Sequence, residues 1–260
     1  MRITLIGSGN VATHLAAAFR NAGHYIVQVY SRSLQNAALL AYHVKAEPID
    51  DLQNITPETD LFIIAVKDDA IGLMAEQLAK YQRLMVHTSG AAGLYTLLAF
   101  TDNAGVFYPL QTFRKTKEVD LRNVPVCIEG TNESITKNLE QLAQTVSDKV
   151  YPVDSDQRKI LHLAAVFANN FPNYLYTLAQ QILAKNQLDF ELLRPIILET
   201  AKKVQEGLPA AMQTGPAIRG DETTLNNHLQ LLKDEPALQE LYSLLSQGII
   251  KLDNTGQGDK

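Results

Sequence analysis

Six residues near the start of the chain, Gly7-Ser8-Gly9-Asn10-Val11-Ala12, have the types and spacing needed to hold linked phosphates. They follow the apolar run Ile3-Thr4-Leu5-Ile6 and open the helix-like stretch from Val11 to Phe19. The first glycine permits a tight turn and the second lets backbone approach a pyrophosphate. The small Ala12 lets the helix pack close to the strand. Main-chain N–H groups and the positive end of the helix dipole then face the anion. A strand before and a helix after supply the context that a bare glycine pattern lacks. The expectation is a dinucleotide site made by Gly7, Ser8, Gly9, Asn10 and Val11.

The end of the second apolar run discriminates between coenzymes. An acidic residue there binds the ribose hydroxyls of NAD, whereas an arginine accommodates the 2′-phosphate of NADP. This chain reads Val29-Tyr30-Ser31-Arg32-Ser33, with no Asp or Glu. Ser31, Arg32 and Ser33 offer a guanidinium between two hydroxyls, a suitable setting for a phosphate dianion. The coenzyme expected is therefore NADP, the alternative being an ordinary surface arginine. A methyltransferase loop is disfavoured, because the first strand ends in Leu5-Ile6 rather than in an acid.

Four further groups carry candidate chemistry. His87 closes a strand-like run and is a candidate acid, delivering a proton to a carbonyl or imine as hydride arrives. Its alternative is a strand-end histidine bonded to backbone. Thr88 and Ser89 follow, either as helix caps or, for Ser89, as a substrate contact. His162 and Asn169 are seven residues apart on one helix face. His162 is a second candidate acid or a packed histidine; Asn169, an amide on an apolar helix, needs a partner and is a candidate substrate ligand. Lastly, Thr214 and Arg219 sit in the turn-like Thr214-Gly215-Pro216-Ala217-Ile218-Arg219-Gly220-Asp221. Arg219 suits a substrate carboxylate through paired donors, or else pairs with Asp221. No metal is expected: six histidines lack ligand spacing, and the single cysteine cannot build a zinc centre. Cys127, in an apolar strand-like setting, reads as a small buried hydrophobe.

The elements that must position these residues change character along the chain. Strand-like runs lie at 2–6, 25–30, 60–66, 83–87, 105–108 and 124–129, with helical patterns between the earlier ones, including 34–42 and 70–80. Such alternation predicts an α/β fold, a doubly wound and mostly parallel sheet. From about Tyr151 the strand signals stop and helical stretches begin, at 156–185, 190–206, 222–233 and 236–252. Pro152 to Asp156 reads as a linker leading into a helix start, and Pro172 should kink the first long helix. Residues 254–260 read as a frayed polar tail. The expected organisation is a dinucleotide-binding domain over 1–151 and an all-α substrate and dimerisation domain over 152–260, with substrate between them. The stretch 161–171 is apolar nearly all round, so it must be buried in a bundle or against a second copy. A homodimer through the helical domain is expected.

Composition excludes several classes. At 260 residues, 46% hydrophobic and 20% charged, the chain has ample material for cores. A net charge of −5 argues against nucleic acid as the main partner. The longest apolar runs, such as Leu61 to Val66, are too short to span a membrane. The first strand begins almost at Met1, so a cytoplasmic protein with no leader is expected.

Three segments join the glycine loop in a more specific pattern: His87-Thr88-Ser89-Gly90-Ala91, Tyr108-Pro109-Leu110-Gln111-Thr112-Phe113, and the turn from Thr214 to Asp221. Together they resemble a bacterial family with a Rossmann-like domain and a helical C-terminal domain of unknown function, DUF2520, whose members bear the working description NADP oxidoreductase. That family is similar to the superfamily of pyrroline-5-carboxylate reductase, F420-dependent NADP reductase, ketopantoate reductase and 6-phosphogluconate dehydrogenase. The resemblance implies the Rossmann fold, NADP, and a small, anionic substrate. It places Val66 and Lys67 beside the ribose or nicotinamide and Tyr108 near the substrate. Two features depart from it. Tyr108-Pro109 stands where His-Pro is expected, and a lysine–asparagine pair four residues apart is missing around Lys159. The resemblance leaves open two rivals to an NADP oxidoreductase: a dinucleotide-binding sensor without turnover, and hydride exchange between F420 and NADP.

Overall fold

The computed structural model describes residues 1–255, with side chains described through residue 252. Of the tail expected over 254–260, residues 254 and 255 end a helix and 256–260 lie outside the described residues. The chain divides into two compact units, Met1–Leu175 and Tyr176–Lys260.

The first unit is built on an eight-stranded sheet: β1 (Arg2–Ile6), β2 (Tyr25–Tyr30), β3 (Glu47–Ile49), β4 (Leu61–Ile64), β5 (Leu84–His87), β6 (Ala104–Pro109), β7 (Val126–Gly130) and β8 (Val150–Pro152). Their spatial order is β3-β2-β1-β4-β5-β6-β7-β8. β1 to β6 run parallel, β7 pairs antiparallel with β6, and β8 runs parallel to β7. Strand order reverses direction between β1 and β4, which is the switch point where ligands bind in open α/β sheets. The central strands read as continuous apolar runs because both faces are covered: Leu61, Phe62, Ile63 and Ile64 are all fully buried.

Helices α1 (Asn10–Asn21), α2 (Leu34–Val44), α3 (Ile71–Leu78), α4 (Tyr95–Leu98) and α5 (Glu133–Gln144) follow β1, β2, β4, β5 and β7 respectively. In α1 the buried positions Ala12, Leu15, Ala16 and Phe19 recur at helical spacing, and Ala12 is fully buried. This agrees with a small residue being needed where the helix approaches the sheet. Two short strands, β3 and β8, and helix α5 were not expected. β8 replaces the linker read around Pro152; its proline sits on the sheet's edge, where a missing donor is tolerated.

Helix α6 (Ser155–Ala165) begins with a capping box, Asp154 accepting from Gln157 N–H while the Gln157 side chain accepts from Asp154 N–H. A π-helical segment, Val166–Asn170, separates it from α7 (Phe171–Lys185). The discontinuity thus lies just before Pro172, whose missing N–H releases a carbonyl in the preceding turn. The sheet-based unit runs through α6 to Leu175, beyond the division expected at 151/152.

What ties α6 to the sheet is Arg158, fully buried on its inner face. Its Nη1 is ion-paired with the Glu129 carboxylate at the end of β7. Nη2 donates to the Ala92 carbonyl at 2.7 Å. Ser155 Oγ donates to Glu129 at 2.8 Å and accepts from Leu94 N–H at 2.9 Å. One guanidinium therefore joins α6, β7 and the loop after β5.

The second unit contains α8 (Arg194–Glu206), α9 (Glu222–Leu231), α10 (Pro236–Thr255) and most of α7. Among its described residues through 252, Ala217 alone is buried. No helix among the described residues is long and apolar enough to cross a membrane.

Breaking a buried ion pair by removing one partner leaves the other charge uncompensated. Arg158→Met is expected to cost about 3–5 kcal/mol on that basis, read from urea unfolding midpoints. Pairing it with Glu129→Gln should restore part of the loss.

Candidate functional site

The carboxyl ends of β1 and β4 open onto a single cavity of about 910 Å³. At one end it is lined by Gly7 to Val11, by Tyr30 at the end of β2 and by Ser31 and Arg32 after it. Ala65 to Ala70 after β4 form another wall, with Leu73 and Met74 of α3. Thr88 to Ala91 after β5, Tyr108 of β6 and His162 of α6 complete the lining. All of these belong to the unit Met1–Leu175.

Gly7 has φ +119°, a conformation that side-chain-bearing residues rarely adopt, and a Cβ there would lie 2.3 Å from the Ala65 carbonyl oxygen. Its N–H donates to the Tyr30 carbonyl at 2.8 Å, extending the ladder one residue past β1. Gly9 caps α1 without any side-chain acceptor, and a Cβ built on it meets nothing within 4 Å. The first turn of α1 thus presents backbone to open space, as a pyrophosphate site requires. Ser8 Oγ donates to Ser31 Oγ at 3.1 Å, tying the glycine loop to the end of β2. These residues fit a dinucleotide: backbone donors at the switch point, and Arg32 on the wall beyond the second strand.

The remaining expected residues fall into two groups. Val66, Lys67, Ser89, Tyr108 and His162 all line the cavity. Ser33, His87, Asn169, Thr214 and Arg219 do not. Ser33 is the N-cap of α2, its side chain accepting from Asn36 N–H at 3.4 Å. Asn169 is exposed within the π-helical segment. Thr214 and Arg219, both exposed, lie in the second unit, and the Arg219 charge helps to lower the Asp221 pKa, behind the hydrogen bonds from Thr224. Asp221 caps α9, accepting from Thr224 N–H and Oγ.

His87 requires a correction. Alternation along β5 puts it on the face shared with Met85 and, across the sheet, with Val106 and Tyr108, but sealed in the packed core rather than on the cavity wall. The ring is 0% exposed. Nδ1 accepts from Ser89 N–H at 3.2 Å; Nε2 lies near the Gly93 carbonyl without a hydrogen bond of good geometry. Burial first, and the Arg158 cation second, push its pKa down to about 4. A neutral, enclosed imidazole cannot serve as the acid at the cavity, so the backbone-bonding alternative describes it. Ser89 does cap backbone, Oγ accepting from Ala91 and Ala92 N–H at 3.1 and 2.9 Å, within a turn rather than an α-helix.

At the cavity's other end the Tyr108 hydroxyl and His162 Nδ1 are 3.1 Å apart. Gly90 packs against this pair: a Cβ on it would sit 2.7 Å from His162 Nδ1 and 2.8 Å from Tyr108 Cζ. Burial raises the Tyr108 pKa, the nearby Cys127 adding and Arg158 opposing. Cys127 is itself buried, with its thiol pKa raised by desolvation. Sequence reasoning missed Gly90, Arg158 and Glu129. A charged residue in a helix ordinarily reads as solvated, and nothing local marks Arg158 otherwise.

The fold and site define a Rossmann-type dinucleotide-binding protein. A Rossmann-like domain model matches residues 1–112, and a domain of unknown function, DUF2520, matches residues 124–249. A Bacteroides fragilis protein provisionally named an NADP oxidoreductase is 45% identical, with a TM-score of 0.90 over 96% of this chain and 98% of that one. The chain belongs to this family of Rossmann-like proteins with a DUF2520 domain. An imine reductase from Myxococcus stipitatus, in complex with NADP+, is 14% identical with a TM-score of 0.68, covering 99% of this chain and 96% of that one. A pyrroline-5-carboxylate reductase from Coxiella burnetii is 18% identical with a TM-score of 0.55, over 97% of each chain. At those identities the likeness is one of fold. No curated protein sequence matches the chain.

His87 also makes a stability prediction. Its folded pKa lies below the unfolded value of about 6.5, so the unfolded chain binds the extra proton first. Stability should be fully present above about pH 6.5 and fall as pH drops towards 4, by about 3 kcal/mol. Denaturant melts at pH 7 and 4.5 should show this fall. His87→Asn, which keeps an acceptor for Ser89 N–H, should flatten it.

Proposed function

We propose that this protein is an NADP-dependent oxidoreductase that exchanges hydride with a small carbonyl or imine compound. The observation that carries the reading is the continuity of one cavity, from Arg32 and Ser31 past the glycine loop to Tyr108 and His162. Its size suits a small-molecule site. Gly7, Gly9 and the first turn of α1 would hold the pyrophosphate, and Ser31 and Arg32 the 2′-phosphate. Val66 and Lys67 would lie along the coenzyme. When bound, the nicotinamide supplies the hydride; the chain supplies position, exclusion of water and polar groups. The family relationship to a protein provisionally named an NADP oxidoreductase supports the same reading.

The substrate is given an acidic group, an assignment resting on the exposed guanidinium of Arg219, which also lies close enough to Asp221 to help lower its carboxyl pKa. Thr214 would belong to the same turn. Asn169 stays a candidate substrate ligand only as an exposed amide. The proposed division of labour keeps 1–151 as the coenzyme domain and 152–260 as the substrate and dimerisation domain.

A homodimer is part of the reading. Helices α8 and α9 contain no buried residue. Leu192, Ile196, Leu208 and Leu231 in the second unit are each more than 60% exposed. In the first unit, Ile160, Leu163, Phe167 and Phe171 recur at three- and four-residue spacing and are likewise exposed. The burial expected for 161–171 is thus absent in the single chain. A second copy would cover these faces, since contiguous apolar patches of this kind mark interfaces.

Three experiments test these statements. Calorimetry should give NADPH a Kd at least tenfold below that of NADH, with Arg32→Ala removing the preference; tighter NADH binding would end the coenzyme assignment. Oxidation of NADPH should accompany turnover of some 2-oxo acid, semialdehyde or imine, with Arg219→Ala raising KM for the acidic compounds alone. In light scattering, the protein at micromolar concentration should have twice the mass of the chain. A monomer would refute the dimer.

A further inference from the structure

We infer that Tyr108 is the proton donor of the reaction and that His162 is the group that refills it. The inference rests on the oxidoreductase reading above, and it replaces His87, which is fully buried and does not line the cavity.

Three independent observations point to this pair. First, the two rings come from distant elements, β6 and α6, yet meet at the cavity with hydroxyl and Nδ1 3.1 Å apart. Second, Gly90 leaves room for them: a Cβ there would meet atoms of both rings below 3.0 Å, so the rings would have to shift. Third, Arg158 stands four residues before His162 on α6 and is fixed to β7 and to the loop after β5. The imidazole is therefore anchored from one helical turn away.

The chemistry follows from the two side chains. Tyr108 is 9% exposed, with burial holding its phenol above the ordinary range, so the hydroxyl keeps its proton until an acceptor arrives. A phenol enclosed in this way is a poor acid unless a neighbour offsets the charge left behind. His162 Nδ1 is placed to do that.

In the reductive direction, the coenzyme's hydride goes to the carbon of a C=O or C=N group, whose π electrons move to the heteroatom. The heteroatom takes the proton from Tyr108 Oη, so one O–H bond breaks and one O–H or N–H bond forms. Oη in turn takes a proton carried on His162 Nδ1, and the half-exposed ring recovers one from a solvent acid, hydronium or buffer. One hydride and one proton are consumed, and both side chains end as they began.

The test separates proton delivery from hydride delivery. N-methyl-1-pyrrolinium already carries its positive charge and needs no proton, whereas glyoxylate, pyruvate and butanal do. With NADPH, Tyr108→Phe should lower kcat for the carbonyl compounds at least about 100-fold, within the range general acids contribute. Reduction of the pyrrolinium should fall by less than about fivefold. His162→Gln should lower carbonyl turnover about tenfold and leave NADPH affinity within about twofold. In coenzyme-free protein, ¹⁵N spectra should show the His162 Nδ1 resonance moving in Tyr108→Phe. Equal losses on both substrate classes, or an unmoved Nδ1 resonance, would overturn the inference. So would wild-type turnover of the pyrrolinium with no carbonyl. Turnover of neither class despite tight NADPH binding would instead overturn the oxidoreductase reading, and this inference with it.

Discussion

A guanidinium sealed from water is an expensive thing to fold around, and this chain places one where three elements converge. Arg158 satisfies the Glu129 carboxylate and the Ala92 carbonyl from a single helical position. Because its ion-pairing partner is on the sheet and its other acceptor is in the loop after β5, neither can shift without uncovering a charge or an orphaned carbonyl. The walls of the cavity that come from β5, β6 and α6 depend on that arrangement. Its opposite end depends on something simpler, the close approach of Gly7 to Ala65 at the switch point. The two ends are thus held by different physics: buried electrostatics on one side and backbone sterics on the other.

Much of the frame was legible in the residues. β1 and β2 fall on the predicted positions to the residue, because an apolar run bounded by Gly7, and another bounded by Ser31, leave little choice. The glycine loop and Arg32 were legible because their function is carried by local spacing. Edge strands were not. Glu47-Pro48-Ile49 and Val150-Tyr151-Pro152 each include a proline and only three residues, below what periodicity can register.

The site's far end was harder to read for a different reason. His87 ends its strand on the same face as Tyr108, and only the tertiary packing over it, which local pattern does not carry, seals it from the cavity. Tyr108 and His162 are 54 residues apart, and only the tertiary fold makes them neighbours. Asn169 drew attention as an amide among apolar residues. Yet the segment that holds it is exposed in the single chain, so its surroundings no longer demand a buried partner. The helices after Tyr176 were recognisable as helices from their periodicity, but periodicity says nothing about what will cover their apolar sides.

The reversal of the last two strands has a geometric consequence for α6. Since β7 runs antiparallel to β6, and β8 follows β7, the chain leaves the sheet at the end remote from the cavity. Helix α6 must then travel back alongside β6, passing Glu129 early and arriving at Tyr108 later. It works as a ruler: the zero mark is Arg158, and the graduation that matters is one turn further on. Exchanging residues between the marks would leave the reading intact. Adding or deleting a single one would rotate the imidazole by about 100° and strand it on another side of the helix. Length, more than identity, is what this stretch of chain has to conserve.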